Sequence, residues 1–349
     1  MKLPDPKFIL LGAGATRAAY QNAALPPPLD FDFFDIASQI AGRGTGVLAR
    51  RVSKDVFELY NRVSGIGLEQ YYRDIETRLE LSNFARSANR PKDWEKRRRN
   101  LEELVRRVLI HTTCEMAEGP AKVKPSRIHQ AIYSRLGPSD TIGTFNYDTV
   151  IEESFPNAKL WSPRGGYGVP ATGVTHEWSS SWYEDRRLDG DEEASVEVLK
   201  LHGSINWNLN KATNVVIKQR PYFVRAQNGK PVFGKAAILP PGWHKRVDKN
   251  PYNKIWRLAR LRLEKCKTLV IVGYSLPDTD LIARALFLEV ARLRRARGNL
   301  LKELHVADVS EAVRRKIVEI FIPALGSEGA VFQYSSADDL AKRWRTPKS

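Results

Sequence analysis

A few short polar clusters in this 349-residue chain carry side chains suited to chemistry, and each sits directly behind an apolar run. "KLHGSINW" places His202 before Gly203 and Ser204, and an imidazole that titrates near neutrality is able to accept or relay a proton. "TFNYD" places Asn146 and Asp148 two residues apart at a strand terminus, a spacing that turns an amide and a carboxylate the same way. "GAGAT", Gly12, Ala13, Gly14, Ala15 and Thr16, offers a backbone without bulk and a following helix N-terminus, which together suit a pyrophosphate. "VGYSLPDTD" brings Gly273 and Ser275 to a turn, with Asp278 or Asp280 near the cap of the next helix, and a further strand ends at Asp308.

Each cluster has a plainer reading. A lone histidine after a buried strand is usually a packed core residue. Asp148 suits the cap of a helix starting near Thr149. The glycine turn reads Gly-x-Gly-x-x-Arg and lacks the third glycine of the dinucleotide fingerprint, so by itself it is a tight turn.

The elements that must position these residues alternate in type. Phe8–Leu11 reads as a strand entering a tight turn and a helix, and "DTIGTFNYD", "VEVLKLHG", "KTLVIVGYS", "ELHVADVS" and "AVFQYSS" read as further short strands. Helical stretches at 253–266 and 280–297 separate several of them. This alternation predicts an α/β fold: a Rossmann-like, doubly wound, mostly parallel sheet whose ligands bind at the carboxyl ends of its strands. From residue 31 to 136 the periodicity is helical instead, with Trp94, Leu101, Leu104, Val105, Val108 and Leu109 forming one apolar stripe. The expected organisation is therefore a discontinuous core, 1–30 and 137–349, with a helical insertion at 31–136. Residues 157–195 read as a long irregular excursion, and Asn228-Gly229 as the turn of a hairpin.

Lys and Arg number 56 against 40 Asp and Glu, a net charge of +16 that attracts phosphate-bearing molecules or an acidic partner unless the arginine-rich helices are merely solvated. Cys114 and Cys266 form no Cys-x-x-Cys pair, so no thiolate zinc site is legible. The apolar run before Gly12 is too short for a signal peptide or membrane span, which predicts a soluble, cytoplasmic protein without membrane contact.

Taken in order, "GAGAT", "TFNYD", "KLHGS" and "VGYS" resemble the ordered motifs of the sirtuin superfamily. "PPPLDFDFF", "ILPPGWHK" and "VGYSLPDTD" further resemble the bacterial sirtuin-like proteins of phage defence that hydrolyse NAD. The resemblance covers roughly 7–30 and 137–335. It implies that Gly12 to Thr16 bind the NAD phosphates and adjoining ribose, that Gly203, Gly273 and Ser275 line the NAD site, and that Asp308 lies toward the adenosine. It implies further that Asn146 positions the nicotinamide ribose and the attacking water, that Asp148 contacts the nicotinamide amide, and that His202 is the base or ribose-hydroxyl partner. Two departures stand out. "ALPPPLDFDFF" replaces the Gly-Ile-Pro-Asp-Phe-Arg loop, and between His202 and Gly273 only Cys266 is present, which leaves no four-cysteine zinc module.

The resemblance thus implies an NAD glycohydrolase that takes NAD as substrate, needs no cofactor or metal, and depletes NAD during anti-phage defence. A protein deacylase or ADP-ribosyltransferase is the enzymatic alternative. A basic nucleic-acid-binding or scaffold subunit with a vestigial NAD site, suggested by "EKRRRN" and "ARLRRARGNLLK", is the alternative from another class. Expected partners are NAD, further copies of the chain in a homo-oligomer, a HerA-type translocase ATPase implied by the resemblance, and nucleic acid on the basic helices.

Overall fold

Runs such as Phe8–Leu11 and Leu269–Val272 are apolar throughout rather than alternating, which is the signature of strands covered on both faces. In the computed structural model they become neighbours in one sheet. The structure describes residues 5–42, 65–84, 91–115, 122–156, 160–161, 166–169, 171–172, 196–209, 215–217, 223–225, 231–233, 236–239 and 247–344. The main sheet comprises β1 (Lys7–Leu11), β2 (Thr141–Thr144), β3 (Glu197–Lys200), β4 (Thr268–Val272), β5 (Leu301–Ala307) and β6 (Leu325–Tyr334). Its order is β6-β5-β4-β1-β2-β3, with every pairing parallel. The chain winds outward from β1 to β3, then crosses back to β4 on the other side of β1. This is the doubly wound, Rossmann-like order, with its switch point between β1 and β4.

The helices are α1 (Ala13–Ala19), α2 (Phe33–Gly42), α3 (Leu68–Phe84), α4 (Pro91–Thr113), α5 (Arg127–Tyr133), α6 (Val150–Glu153), α7 (Tyr252–Lys265), α8 (Leu281–Ala296), α9 (Glu311–Phe321) and α10 (Ala337–Arg343). Helices α1, α5 and α10 pack together as one layer, while α7, α8 and α9 pack together as the other. Ser126, Asp280, Ser310 and Ser336 cap α5, α8, α9 and α10 by accepting a backbone N–H with a side-chain oxygen.

Helices α2, α3 and α4 share a second hydrophobic cluster, built from Phe33, Phe34, Tyr71, Tyr72 and the buried stripe Leu101, Leu104, Val105 and Val108. Trp94 is only partly buried at its edge. Helix α5 packs instead in the main cluster through Ile128, Ile132 and Tyr133, although helical periodicity alone runs it together with the preceding helices. Ile205 belongs to the second cluster, and Tyr147 packs against it, so the helical segment touches the chain on both sides of His202.

A second sheet, absent from the sequence reading, follows His202 immediately. Strand Gly203–Leu209 pairs antiparallel with Ala236–Ile238 and with Val215–Ile217. Strands Phe223–Arg225 and Pro231–Phe233 pair antiparallel, as expected of hairpin arms, while Asn228 and Gly229 lie outside the described residues. So does most of 157–195.

Register decides what the sheet presents. Tyr334, Ala307, Val272, Leu11, Thr144 and Lys200 pair successively across the six strands, so every strand ends on one row. Gly12, Phe145, Leu201, Gly273 and Asp308 are the next residues out. At the switch point the two glycine turns interlock: the Gly12 amide donates to Val272 O at 2.9 Å and the Gly14 amide to Gly273 O at 2.9 Å. A Cβ on Gly12 would lie 2.3 Å from Gly273 O, and Gly273 itself has φ +60° with room for no Cβ, since one would meet the Ala15 amide nitrogen at 2.2 Å.

Two stability predictions follow from this packing. Gly273→Ala adds both strain and overlap and is expected to cost at least about 2 kcal/mol in denaturant unfolding. His129, fully buried with Nδ1 2.7 Å from Ser126 Oγ, has its pKa lowered to about 4 by burial. The unfolded chain binds that proton first, so stability is lost as pH falls from about 6.5 toward about 4. A His129→Gln variant is expected to show a flatter stability–pH curve across that window.

Candidate active site

The polar residues singled out from sequence emerge at the carboxyl ends of β1, β2, β3, β4 and β5, where parallel strands have no further backbone partner. Thr144 Oγ1 donates to Leu11 O at 2.8 Å and accepts the Asn146 amide at 3.0 Å, so the chain leaving β2 curls toward the glycine turn. Asn146 Nδ2 donates to Gly12 O and to Thr16 Oγ1, both at 3.0 Å. Thr16 Oγ1 in turn donates to Asp148 Oδ2 at 3.0 Å. Asn146, Thr16 and Asp148 thus form one buried chain of hydrogen bonds spanning two strand ends. The carboxylate also serves its helix, because Asp148 Oδ1 accepts the Val150 amide at 3.0 Å. Thr149 holds the N-cap position, and Asp148 braces the first helical amide from one residue further out.

His202 lies in the short link between β3 and strand Gly203–Leu209, buried at 5 % exposure. Gly203 makes the link possible, with φ +79° and no space for a Cβ beside Ala237 O. The imidazole is walled by Phe145, Tyr147 and Trp256, at centroid distances of 4.8, 6.1 and 6.4 Å. Its Nε2 lies 3.7 Å from Asp280 Oδ2. Asp280 also accepts the Tyr274 hydroxyl at 2.9 Å and the Ala283 amide at 3.3 Å. Burial, reinforced by the Asp280 charge, holds the Tyr274 phenol well above its ordinary pKa, so it stays a proton donor to that carboxylate. Tyr274 stacks on Phe145 at 4.3 Å, closing the wall between the β2 and β4 ends.

The remaining residues sit further along the row. Ala13 and Ser275 are exposed, Gly14 and Gly273 half-buried, and Ala15 is packed under the turn. Leu276 follows at φ +48°, the one non-glycine positive φ among the described residues, with its carbonyl accepting Lys316 Nζ at 2.8 Å. Asp308 Oδ1 accepts the Ser310 amide at 2.8 Å at the start of α9, and partial burial raises its carboxyl pKa. It stands two strands from β1, apart from the Asn146–Thr16–Asp148 chain.

Sequence reasoning left Asp280 as a helix cap only and did not single out Phe145, Tyr274 or Trp256 as the wall around the imidazole. The "YSLPDTD" spacing carries a signal for Asp280; Trp256, on α7, offers none, because only folding brings it to His202.

A cavity of about 260 Å³ is lined by Tyr20, Ala23, Leu25, Ile40, His111 and Cys114 among others. Tyr20 lies close enough to Asp148, Cys114 and Glu153 for their charges to add to burial in raising its phenol pKa. Among the described residues no group of three or more His, Cys, Asp or Glu is arranged to hold a metal ion, and Cys266 is buried with its thiol donating to Leu263 O.

The two basic runs are largely matched locally. Arg97 covers the Trp94 ring, Arg98 pairs with Glu76 and Glu102, and Arg99 with Glu95. Arg292 pairs with Glu289 and Arg297 with Glu264, while Arg294 is buried, donating to Cys266 O at 2.6 Å. No helix among the described residues is long and apolar enough to cross a membrane.

A doubly wound parallel sheet with interlocked glycine turns at its switch point, and polar side chains gathered along its carboxyl row, defines a Rossmann-like α/β protein. Within that class, residues 140–307, just under half of the chain, match the family model of the SIR2-like domain. Similar solved structures include Sir2 in complex with the inhibitor EX-527, 2'-O-acetyl-ADP-ribose and a deacetylated p53 peptide, at 12 % identity, 97 % of this chain, 91 % of that chain and TM-score 0.39. Another is a Sir2–p53 peptide–NAD+ complex, at 10 % identity, 97 % and 91 % coverage and TM-score 0.38. No curated protein matches the chain.

Thr16 links the amide and the carboxylate. Thr16→Val keeps the shape and removes both hydrogen bonds, leaving Asp148 Oδ2 and Asn146 Nδ2 each without that buried partner. A loss of about 1–3 kcal/mol in chemical denaturation is expected.

Proposed function

We propose that the chain is an NAD glycohydrolase that cleaves the nicotinamide–ribose bond with water. The observation that carries this reading is the contact between Asn146 and the glycine turn, Nδ2 to Gly12 O at 3.0 Å. A backbone turn suited to phosphates and a side-chain amide suited to a ribose and a water lie one hydrogen bond apart. The family match over 140–307 supports the same substrate.

Cleavage needs little of the protein beyond placement and charge. The bond between ribose C1′ and the nicotinamide nitrogen breaks with its electron pair leaving on nicotinamide, which neutralises the cationic ring, so no general acid is required. Water bonds to C1′ and releases one proton, giving nicotinamide and ADP-ribose. In this reading Asn146 holds the ribose and the water, and Asp148 addresses the carboxamide. His202, with Asp280 3.7 Å from its Nε2, accepts the proton or a ribose hydroxyl contact. Gly12 to Thr16, Gly203, Gly273 and Ser275 line the dinucleotide, and Asp308 faces the adenosine end.

The chain has two cysteines in all and cannot form the four-thiolate module that frames a deacylase groove, which favours water over an acyl-lysine as the nucleophile. NAD depletion in anti-phage defence is the setting we propose, with the cytoplasm as its place. Self-assembly or a partner such as a HerA-type ATPase would restrain an activity that is toxic to the host.

Purified protein incubated with NAD, alone and with DNA or the product of a neighbouring gene, is expected to release nicotinamide and ADP-ribose in equal amounts. Asn146→Ala and His202→Ala should each lower the rate by about 10²-fold or more while circular dichroism stays unchanged. Release that depends on an acylated protein would move the assignment to a deacylase, and rates untouched by either substitution would reject the site.

A further inference from the structure

Directly behind the Asn146–Asp148 turn lies an ion pair that the cleavage reaction does not use. Lys200, the last residue of β3, and Glu152, in α6, are both fully buried, with Nζ 3.2 Å from Oε1. Lys200 Nζ also donates to the backbone carbonyl of Asp148 in a short hydrogen bond. The Tyr167 hydroxyl donates to the same Glu152 oxygen at 2.9 Å, and Oε2 has no hydrogen-bond partner among the described residues. Burial raises the Glu152 carboxyl pKa, and the Lys200 ammonium opposes that rise.

A pair like this is an expensive way to fill a core. Removing two charges from water costs several kcal/mol per ion, and well-packed apolar residues of similar volume are often equally stable or better. Stability alone therefore gives a weak reason for the pair, whereas its position gives a strong one. Lys200 stands two residues before His202, and Glu152 four residues after Asp148. The ammonium is held by Glu152 on one side and grips the Asp148 carbonyl on the other, so it joins the turn carrying Asn146 and Asp148 to the strand end carrying His202. Backbone bonds from Leu201 to Thr144 O and from Ile205 to Tyr147 O, each 2.9 Å, secure the flanks of the same junction. Asp148, by contrast, is reached by a side chain whose charge needs a partner.

We propose that Lys200 and Glu152 are positioning residues that fix the Asn146–Asp148 turn relative to His202 and so set the geometry for NAD cleavage. The proposal rests on the glycohydrolase reading for its catalytic consequence and on the geometry alone for its structural one.

The test uses the full-length protein with Lys200→Met, Glu152→Gln, Lys200→Arg and the double variant Lys200→Met/Glu152→Met, with NAD as probe. Each single loss of charge leaves an uncompensated partner and is expected to lower thermal stability. The double variant removes both charges and should recover much of it. Turnover is expected to behave differently: kcat falls about tenfold or more in Lys200→Met and in the double variant, with KM within about threefold, and Lys200→Arg retains more activity than Lys200→Met. Hydrogen exchange at the amides of 146–151 should quicken in the double variant while β1 and β4 keep their protection. A double variant that regains both stability and turnover overturns the proposal, since the pair would then serve stability alone. Should the wild-type protein release no nicotinamide, the glycohydrolase reading fails by itself; unchanged exchange at 146–151 in the double variant then overturns the positioning role independently.

Discussion

The approach of two backbones at the switch point governs the rest of the molecule. Gly12 and Gly14 meet Gly273 so closely that amide and carbonyl groups of the two turns bond directly, and any side chain at Gly12 or Gly273 would push the strands apart. Because β1 and β4 are locked at this point, their parallel neighbours in register end at the same level. Residues separated by hundreds of positions are delivered to one edge of one sheet. The edge, rather than any single motif, assembles the candidate site.

Polar groups along that edge are held in two connected sets. Asn146, Thr16 and Asp148 form a hydrogen-bonded chain against the glycine turn, while His202 stands in an aromatic enclosure with Asp280 as its anionic neighbour. Phe145 belongs to both, since it adjoins Asn146 in sequence, stacks on Tyr274 and borders the imidazole. The helical segment reaches the same place: Tyr147 packs against its cluster, and the Thr279 hydroxyl bonds to Glu69 of α3.

Charge is distributed with similar economy. A net +16 suggests a surface field, yet the arginine runs find acidic, aromatic or carbonyl partners close at hand, and Arg294 is spent inside the core on the end of α7. Composition measures an excess of charge. Placement decides how much of it faces a partner.

The sequence by itself determined the strands of the main sheet and the order of the motifs, but not the second sheet that follows His202. Short uninterrupted apolar runs bounded by Gly and polar residues suit strands buried on both faces, a 3.6-residue stripe suits one side of a helix, and glycines at a strand end permit a close turn. Asn146, Asp148 and His202 were legible for that reason, as polar residues placed just beyond such runs. Tertiary structure alone decided that Asp148 accepts from Thr16, that Asp280 stands beside His202, that Trp256 walls the imidazole, that Lys200 and Glu152 pair beneath the turn, and that α5 joins the main core. Periodicity is a property of neighbouring residues along the chain, whereas these contacts depend on register and on crossover connections, which no local pattern encodes.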